Sequence, residues 1–371
     1  MTEASHHTFT ETDCPEGCPG CARQRMTTGQ CLAEKLGFAQ KTLAPWQPAL
    51  AAPETAPEQR QWEYRNKVCL SAIHDGRVWR IGLKRRDAVI AVGRCRIHSA
   101  GVRKAMALFA GILPPAPSFP LVFYVQSNAQ ITLVIKSARI PDMEWLTDDV
   151  KNRLQNMGIE GLWLCLHPSA GHRVFAKNGW RLVWGRPRSM DTRGLVYGPT
   201  TFGQPIVELA EASLDRAEHF LNPVSGDQVM DLYCGIGAGL ARWKKKTAPV
   251  TGVELSGESV ACARQNAPGA TVLRGMCRLR LPQLTAALEP KAPRCLVYAN
   301  PPRTGMEPEV TQWLADTCRP EKMACLSCNA VTLKRDLTLL ENKGYKIERL
   351  IPFDFFPNTR HLEILALLHR V

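Results

Sequence analysis

From Gln228 to the C-terminus, short apolar runs alternate with amphipathic stretches. QVMDLYC, PVTGVEL, TVLRG, CLVYAN and KMACLSC each read as a strand buried on both faces, and ESVACARQNA between two of them reads as a helix. Strand alternating with helix at this spacing predicts a doubly wound, mostly parallel sheet. The last two apolar runs, YKIERLIPFDFF and HLEILALLHRV, have only a tight connection between them and are predicted to pair antiparallel. Further upstream, VWRIGLKRR and AVIAVGRCRI read as strands, residues 101–112 as a helix, and FPLVFYVQS with ITLVIKS as a strand pair. APWQPALAAPETAP, residues 44–57, is proline-rich and reads as a linker or surface loop. The pattern therefore divides the chain into a cysteine-bearing segment over 1–43, a mixed α+β module over 44–200 and an α/β domain over 201–371.

Charge adds a partner to this picture. Lysine and arginine outnumber aspartate and glutamate 47 to 34, a formal charge of +13 over 371 residues, which suits a polyanion such as RNA. Nine basic residues fall between Arg77 and Lys104, with Trp79 among them as a stacking option, and Trp180, Arg181, Trp184, Arg186, Arg188 and Arg193 form a second basic stretch. No apolar run is long enough to span a bilayer, and MTEASHHTFTETD lacks the basic-then-apolar pattern of a secretory signal, so a cytoplasmic location without membrane attachment is expected. Nothing in the sequence calls for an obligate protein partner. The fourteen cysteines, in a reducing compartment, point to metal ligation, catalysis or burial rather than disulfides.

Three motifs carry candidate chemistry. DLYCGIGAG places glycines at 235, 237 and 239 after a strand and before a helix, where backbone amides can approach a ligand. A dinucleotide fingerprint needs its third glycine at position 240, which is leucine; the acidic Asp231 ahead of the first glycine fits the methyltransferase version of the loop. Glu254 ends the next strand, where a carboxylate can accept from ribose hydroxyls, and Tyr233 is placed to pack against the same ligand. CLVYANPPRTG puts Asn300 at a strand's carboxyl end with two prolines fixing the backbone, which on its own also resembles the turn of enzymes that methylate exocyclic amines. ACLSCNAVTLKRDL puts Cys328 between a strand and a helix start near Val331, a position expected to lower its thiol pKa. FFPNTRHLEILALL carries His361 and Glu363 on one strand face, and an apolar setting is expected to raise the Glu363 pKa towards neutrality. Cys14, Cys18 and Cys21 form C-x3-C-x2-C; zinc and an iron–sulfur cluster both suit this spacing, with Cys31 or Cys95 as fourth ligand.

Together, DLYCGIGAG, GVEL, ANPPRTG, LSCNAVTLKRDL and FPNTRHLEIL occur in the order found in the RNA uracil-5-methyltransferase family, and the chain resembles that family over nearly all of residues 200–371. The resemblance implies a Rossmann-like class I methyltransferase domain using S-adenosylmethionine. It makes Cys328 the nucleophile and Glu363 the base, and lines the cofactor pocket with Gln204 (in TFGQP), Tyr233, Gly235, Glu254 and Asn300. A thiolate adding to carbon 6 of uracil makes carbon 5 nucleophilic enough to take a methyl group, and a base must then remove the carbon 5 hydrogen. Most of the family has aspartate where Asn300 stands and phenylalanine where Gly203 stands. The asparagine form is similar to a branch without an N-terminal RNA-binding barrel that methylates a uridine in 23S ribosomal RNA, and YRNKV (64–68) is similar to that branch too. The ribosomal-RNA branches carry a 4Fe–4S cluster with a distant fourth cysteine, which implies Cys14, Cys18, Cys21 and Cys95. A transfer-RNA substrate and a non-catalytic RNA-binding role are the remaining alternatives.

Overall fold

The computed structural model describes residues 14–15, 17–21, 26–171, 173–289 and 292–371. They form two compact units. One contains the cysteine segment before residue 22 with Trp62–Pro187; the other contains the stretch up to Gln61 with Arg188–Val371.

The second unit is built on an eight-stranded sheet ordered Glu54–Thr55, Tyr345–Asp354, Glu363–Arg370, Lys322–Ser327, Cys295–Ala299, Gln228–Leu232, Val250–Glu254 and Thr271–Arg274. The five strands from Lys322–Ser327 to Thr271–Arg274 run parallel, and helices such as Ala238–Lys244, Gly257–Asn266 and Cys277–Ala286 connect them. Every residue of Gln228–Leu232 is buried, as expected for a strand covered on both faces. Glu363–Arg370 runs antiparallel to both its neighbours, as predicted. This reversal has a consequence for the site. Parallel strands end at Leu232, Glu254, Ala299 and Ser327 on one edge, and the antiparallel strand begins there, with Ile364 opposite Ser327. Glu363 and Cys328, the next residues outward, are thereby brought to the same edge.

Residues 28–61 depart from the expected division at 43. Helix Thr28–Thr42, with a Thr27–Gln30 capping box, buries Cys31, Lys35 and Ala39, and Glu54–Thr55 adds a parallel strand beside Phe353–Asp354. The whole stretch thus groups with the α/β unit, whose N-terminal limit after the other module falls at Arg188 instead of 201. Strand pairing, invisible in a proline-rich sequence, accounts for the difference.

In the first unit a seven-stranded sheet is ordered Ala88–Ala91, Trp79–Arg85, Lys67–His74, Leu121–Ser127, Gln130–Ile135, Gly161–Leu166 and Trp180–Gly185, antiparallel except between the fifth and sixth. Helices Ala100–Ile112 and Asp148–Asn156, N-capped by Ser99 and Thr147, contribute apolar residues to its core. Trp79 is not a stacking platform: it is buried in that core and its indole donates to the Pro114 carbonyl at 3.0 Å. The strand expected over 88–97 ends at Ala91.

Candidate active site

The turn after Gln228–Leu232 needs three left-handed residues, Tyr233 (φ 60°), Gly235 (φ 56°) and Gly237 (φ 83°). A Cβ at Gly237 would lie 3.0 Å from the Ala263 Cα, and one at Gly239 would lie 2.4 Å from an Asp231 carboxylate oxygen. Asp231 is wholly buried; Trp243 Nε1 donates to Oδ2 at 3.0 Å, Oδ1 has no protein partner, and burial pushes the carboxyl up to about 8. Gly239→Ala is expected to destabilise the fold by about 2–3 kcal/mol, measured as a lower urea midpoint at unchanged slope, because the buried Asp231 carboxyl, with the Trp243 indole bonded to it, would have to shift. Glu254 is anchored at its strand end by the Ser256 amide (2.6 Å) and the Gly235 amide (3.1 Å). The Tyr233 hydroxyl donates to Glu307, and burial pushes its pKa up.

On the neighbouring strand the Asn300 amide donates to the Leu232 carbonyl (3.1 Å), continuing the ladder by one residue before the two prolines. The turn is then tied to the helix Ala330–Glu341: Asn329 Nδ2 donates to the Arg303 carbonyl (3.2 Å), and the Met306 amide donates to Asp336 (3.1 Å). Asn329 also caps that helix through its side chain.

Cys328 follows the strand end directly and is half-buried. Contrary to the expectation of a lowered thiol pKa, burial and then the Glu363 carboxylate push it up, opposed by the Arg303 guanidinium. Glu363 is buried, which pushes it up to about 7; the Gln204 amide and Arg303 hold it back from rising further. Gln204 Nε2 donates to Glu363 at 2.8 Å, while its Oε1 is buried with no protein partner. Arg303 Nη2 lies 3.2 Å from His361 Nε2. One edge of one sheet therefore holds a thiol, a carboxyl titrating near neutrality and a guanidinium, alongside a glycine turn and an anchored carboxylate. Arg303 as the charge shared by Cys328 and Glu363 went beyond what the motifs specified; its place directly after Asn-Pro-Pro was the available signal. Gly203 has open space where a side chain would project, so its lack of one is not a packing requirement.

In the first unit Cys14, Cys18, Cys21 and Cys95 lie within electrostatic range of one another. Burial raises the first three, Cys21 to about 11, and neighbouring cysteines raise each of them further. Cys31 is elsewhere: it is buried in the other unit and its thiol donates to the Thr359 carbonyl at 3.3 Å. Among the described residues no three His, Cys, Asp or Glu side chains are arranged to hold a single metal ion.

The second unit has an α/β methyltransferase fold. Residues 189–371 match the family described as tRNA (Uracil-5-)-methyltransferase. Among curated relatives, a 23S rRNA (uracil(747)-C(5))-methyltransferase RlmC of Yersinia enterocolitica is 33% identical over 170 residues, covering 46% of this chain and 44% of that protein. The chain thus matches less than half the length of this relative. A 23S rRNA (uracil(1939)-C(5))-methyltransferase RlmD of Shewanella is 26% identical over 95% of this chain and 81% of its own length. The crystal structure of Pyrococcus abyssi tRNA (uracil-54, C5)-methyltransferase with S-adenosyl-L-homocysteine superposes with a TM-score of 0.71 at 20% identity, covering 95% of this chain and 84% of that one.

Proposed function

We propose that the protein methylates carbon 5 of a uridine in 23S ribosomal RNA through a covalent cysteine–uracil adduct. The observation that carries this reading is the meeting of Cys328, Arg303 and the Gln204-bonded Glu363 at the edge where the cofactor turn lies. S-adenosylmethionine supplies an electrophilic methyl group. Gly235 and its neighbours let the backbone approach it, Glu254 is fixed where ribose hydroxyls are received, and Tyr233, Asn300 and the unpartnered Gln204 Oε1 complete the pocket. Cys328 gives its proton to solvent, and the thiolate forms a bond to carbon 6 as the carbon 5–carbon 6 π electrons move onto carbon 5 and the carbonyl oxygen; Arg303 stabilises both the thiolate and that oxygen. After carbon 5 is methylated, Glu363 takes its proton and the carbon 6–sulfur bond breaks, returning the thiolate.

The target base must be flipped or unpaired to reach Cys328. For phosphate contacts, Arg77, Lys84, Arg86, Arg94 and Lys104 are exposed, as are Arg80, which pairs with Asp75, and Arg85, which donates to the Gly17 carbonyl. Arg103 is instead held by Glu63 and the His98 carbonyl, and Arg96 lies over Trp62. Among the described residues no helix is long and apolar enough to cross a membrane.

We assign Cys14, Cys18, Cys21 and Cys95 to a 4Fe–4S cluster on the resemblance to the ribosomal-RNA branches and on the mutual electrostatic influence of these four thiols. Its role is to brace the cysteine segment, and no methylation step uses it. Anaerobically purified protein is expected to hold about four iron and four sulfide per chain. Cys95→Ser should lose them and Cys31→Ser should keep them; zinc in their place would refute the assignment.

The reaction is checked by incubating the protein and S-adenosylmethionine with unmodified 23S and transfer RNA transcripts and digesting to nucleosides. 5-Methyluridine from the 23S transcript supports the reading. A methylated exocyclic amine, product from transfer RNA alone or no methylation at all contradicts it.

A further inference from the structure

Helix Thr28–Thr42 buries an ammonium group where an apolar residue would be the ordinary choice. Lys35 Nζ contacts Asp354 Oδ1 at 2.7 Å and donates to the Phe356 carbonyl at 3.0 Å, with both charged side chains almost wholly buried. Asp354 ends one strand and Glu363 begins the next, so residues 355–362 form the whole connection to the base. The same helix holds that connection twice more. Cys31 Sγ donates to the Thr359 carbonyl (3.3 Å) and Thr28 Oγ1 donates to Asn358 Oδ1 (3.0 Å). Asn358, at φ 60°, turns its amide group to the Gln61 carbonyl (2.9 Å), so both ends of residues 28–61 grip one left-handed residue. Beyond it, Thr359 Oγ1 accepts from the His361 amide (3.3 Å), and His361 meets Arg303.

We propose that Lys35 is a positioning residue for the reaction: with Thr28 and Asn358 it holds the 355–362 connection, and so sets Glu363 and His361 against Cys328 and Arg303. The proposal rests on the methyltransferase reading above. A buried ion pair is a poor source of stability, since well-packed apolar residues replace one at little cost, but it is specific in direction and length. That specificity suits a loop whose one functional demand is the placement of a carboxyl group. Misplacing Glu363 weighs most on the last step, proton removal, whereas attack by Cys328 feels it only through the charge it shares with Arg303.

The test compares the full-length protein with Lys35→Met/Asp354→Leu, which removes both charges at once, and with the milder Thr28→Val. Each is assayed with ordinary uridine RNA for turnover and for denaturation-resistant protein–RNA adduct, with 5-fluorouridine RNA for the rate of adduct formation, and for Tm. In the double variant, turnover is expected to fall about tenfold or more and adduct on ordinary uridine to accumulate, while adduct formation on 5-fluorouridine slows less than about threefold. Thr28→Val should show the same separation with about a threefold loss of turnover. If turnover and 5-fluorouridine adduct formation fall together, or if folded variants match the parent protein in both, Lys35 does not position the base. Should the parent protein itself form no adduct with 5-fluorouridine RNA, the methyltransferase reading fails and takes this proposal with it.

Discussion

Cys328→Ala is expected to lower 5-methyluridine formation by about 10⁴-fold or more while leaving the Tm close to that of the parent protein. The size follows from the substrate: without a bond at carbon 6, carbon 5 of uracil has too little electron density to take a methyl group. No other thiol can substitute. Cys325, three residues upstream, is fully buried, and burial together with Asp336 and Cys328 pushes its pKa up. Stability changes little because Cys328 is half-buried and is not one of the residues that form the buried apolar core on which this sheet packs. With 5-fluorouridine in place of uridine, fluorine blocks removal at carbon 5, so the parent protein should be trapped as a complex that survives denaturation and the variant should not. Activity retained in Cys328→Ala would sink the covalent mechanism and favour an exocyclic-amine reaction, which needs no thiol.

The edge site was legible because its parts lie where local sequence determines them. QVMDLYC and KMACLSC are buried strands with continuous apolar character, and the residues that leave such strands at the carboxyl edge are next in sequence: Tyr233, Gly235 and Cys328. Glu363 was reachable for a related reason, since a tight connection forces its strand antiparallel and starts it at that same edge. Three features were hidden. Helix Thr28–Thr42 has a buried stripe of Cys31, Lys35 and Ala39, and a lysine with a cysteine in that stripe gives hydrophobic periodicity almost no signal. The Lys35–Asp354 pair joins positions 319 residues apart, a separation that no local pattern records. Trp79 was misplaced as a surface aromatic, although its alternation with Ile81 already put it on the covered face of its strand; the surrounding arginines belong to the other face and to the turns. The thiol pKa went astray because a helix terminus is a local feature, whereas burial and the Glu363 charge come from chain distant in sequence.

Glu363→Gln should separate activity from stability in opposite directions. Glutamine keeps an acceptor for the Gln204 amide but cannot take a proton, so Cys328 attack and methyl transfer should persist while elimination slows by about 10²–10⁴-fold. The methylated adduct with ordinary uridine RNA is then expected to accumulate, visible as a shifted band after denaturing electrophoresis. In the parent protein, the elimination step should quicken as pH rises and the carboxyl ionises around 7, because only the carboxylate accepts the proton. The same shift carries a cost in folding. The folded-state pKa is raised from the ordinary 4.5 to about 7, so the native state holds this proton more tightly than the unfolded chain, and stability falls as pH rises through that window. Above pH 7 the accumulated loss is at most about 3 kcal/mol, and Glu363→Gln escapes it. The variant should therefore melt higher than the parent protein at pH 8 and lose that advantage towards pH 4.5. A variant that turns over normally, or that loses activity without trapping adduct, would show that another group removes the carbon 5 proton. Equal melting at pH 8 would show that Glu363 is not held in the desolvated site from which a base titrating near neutrality draws its reactivity.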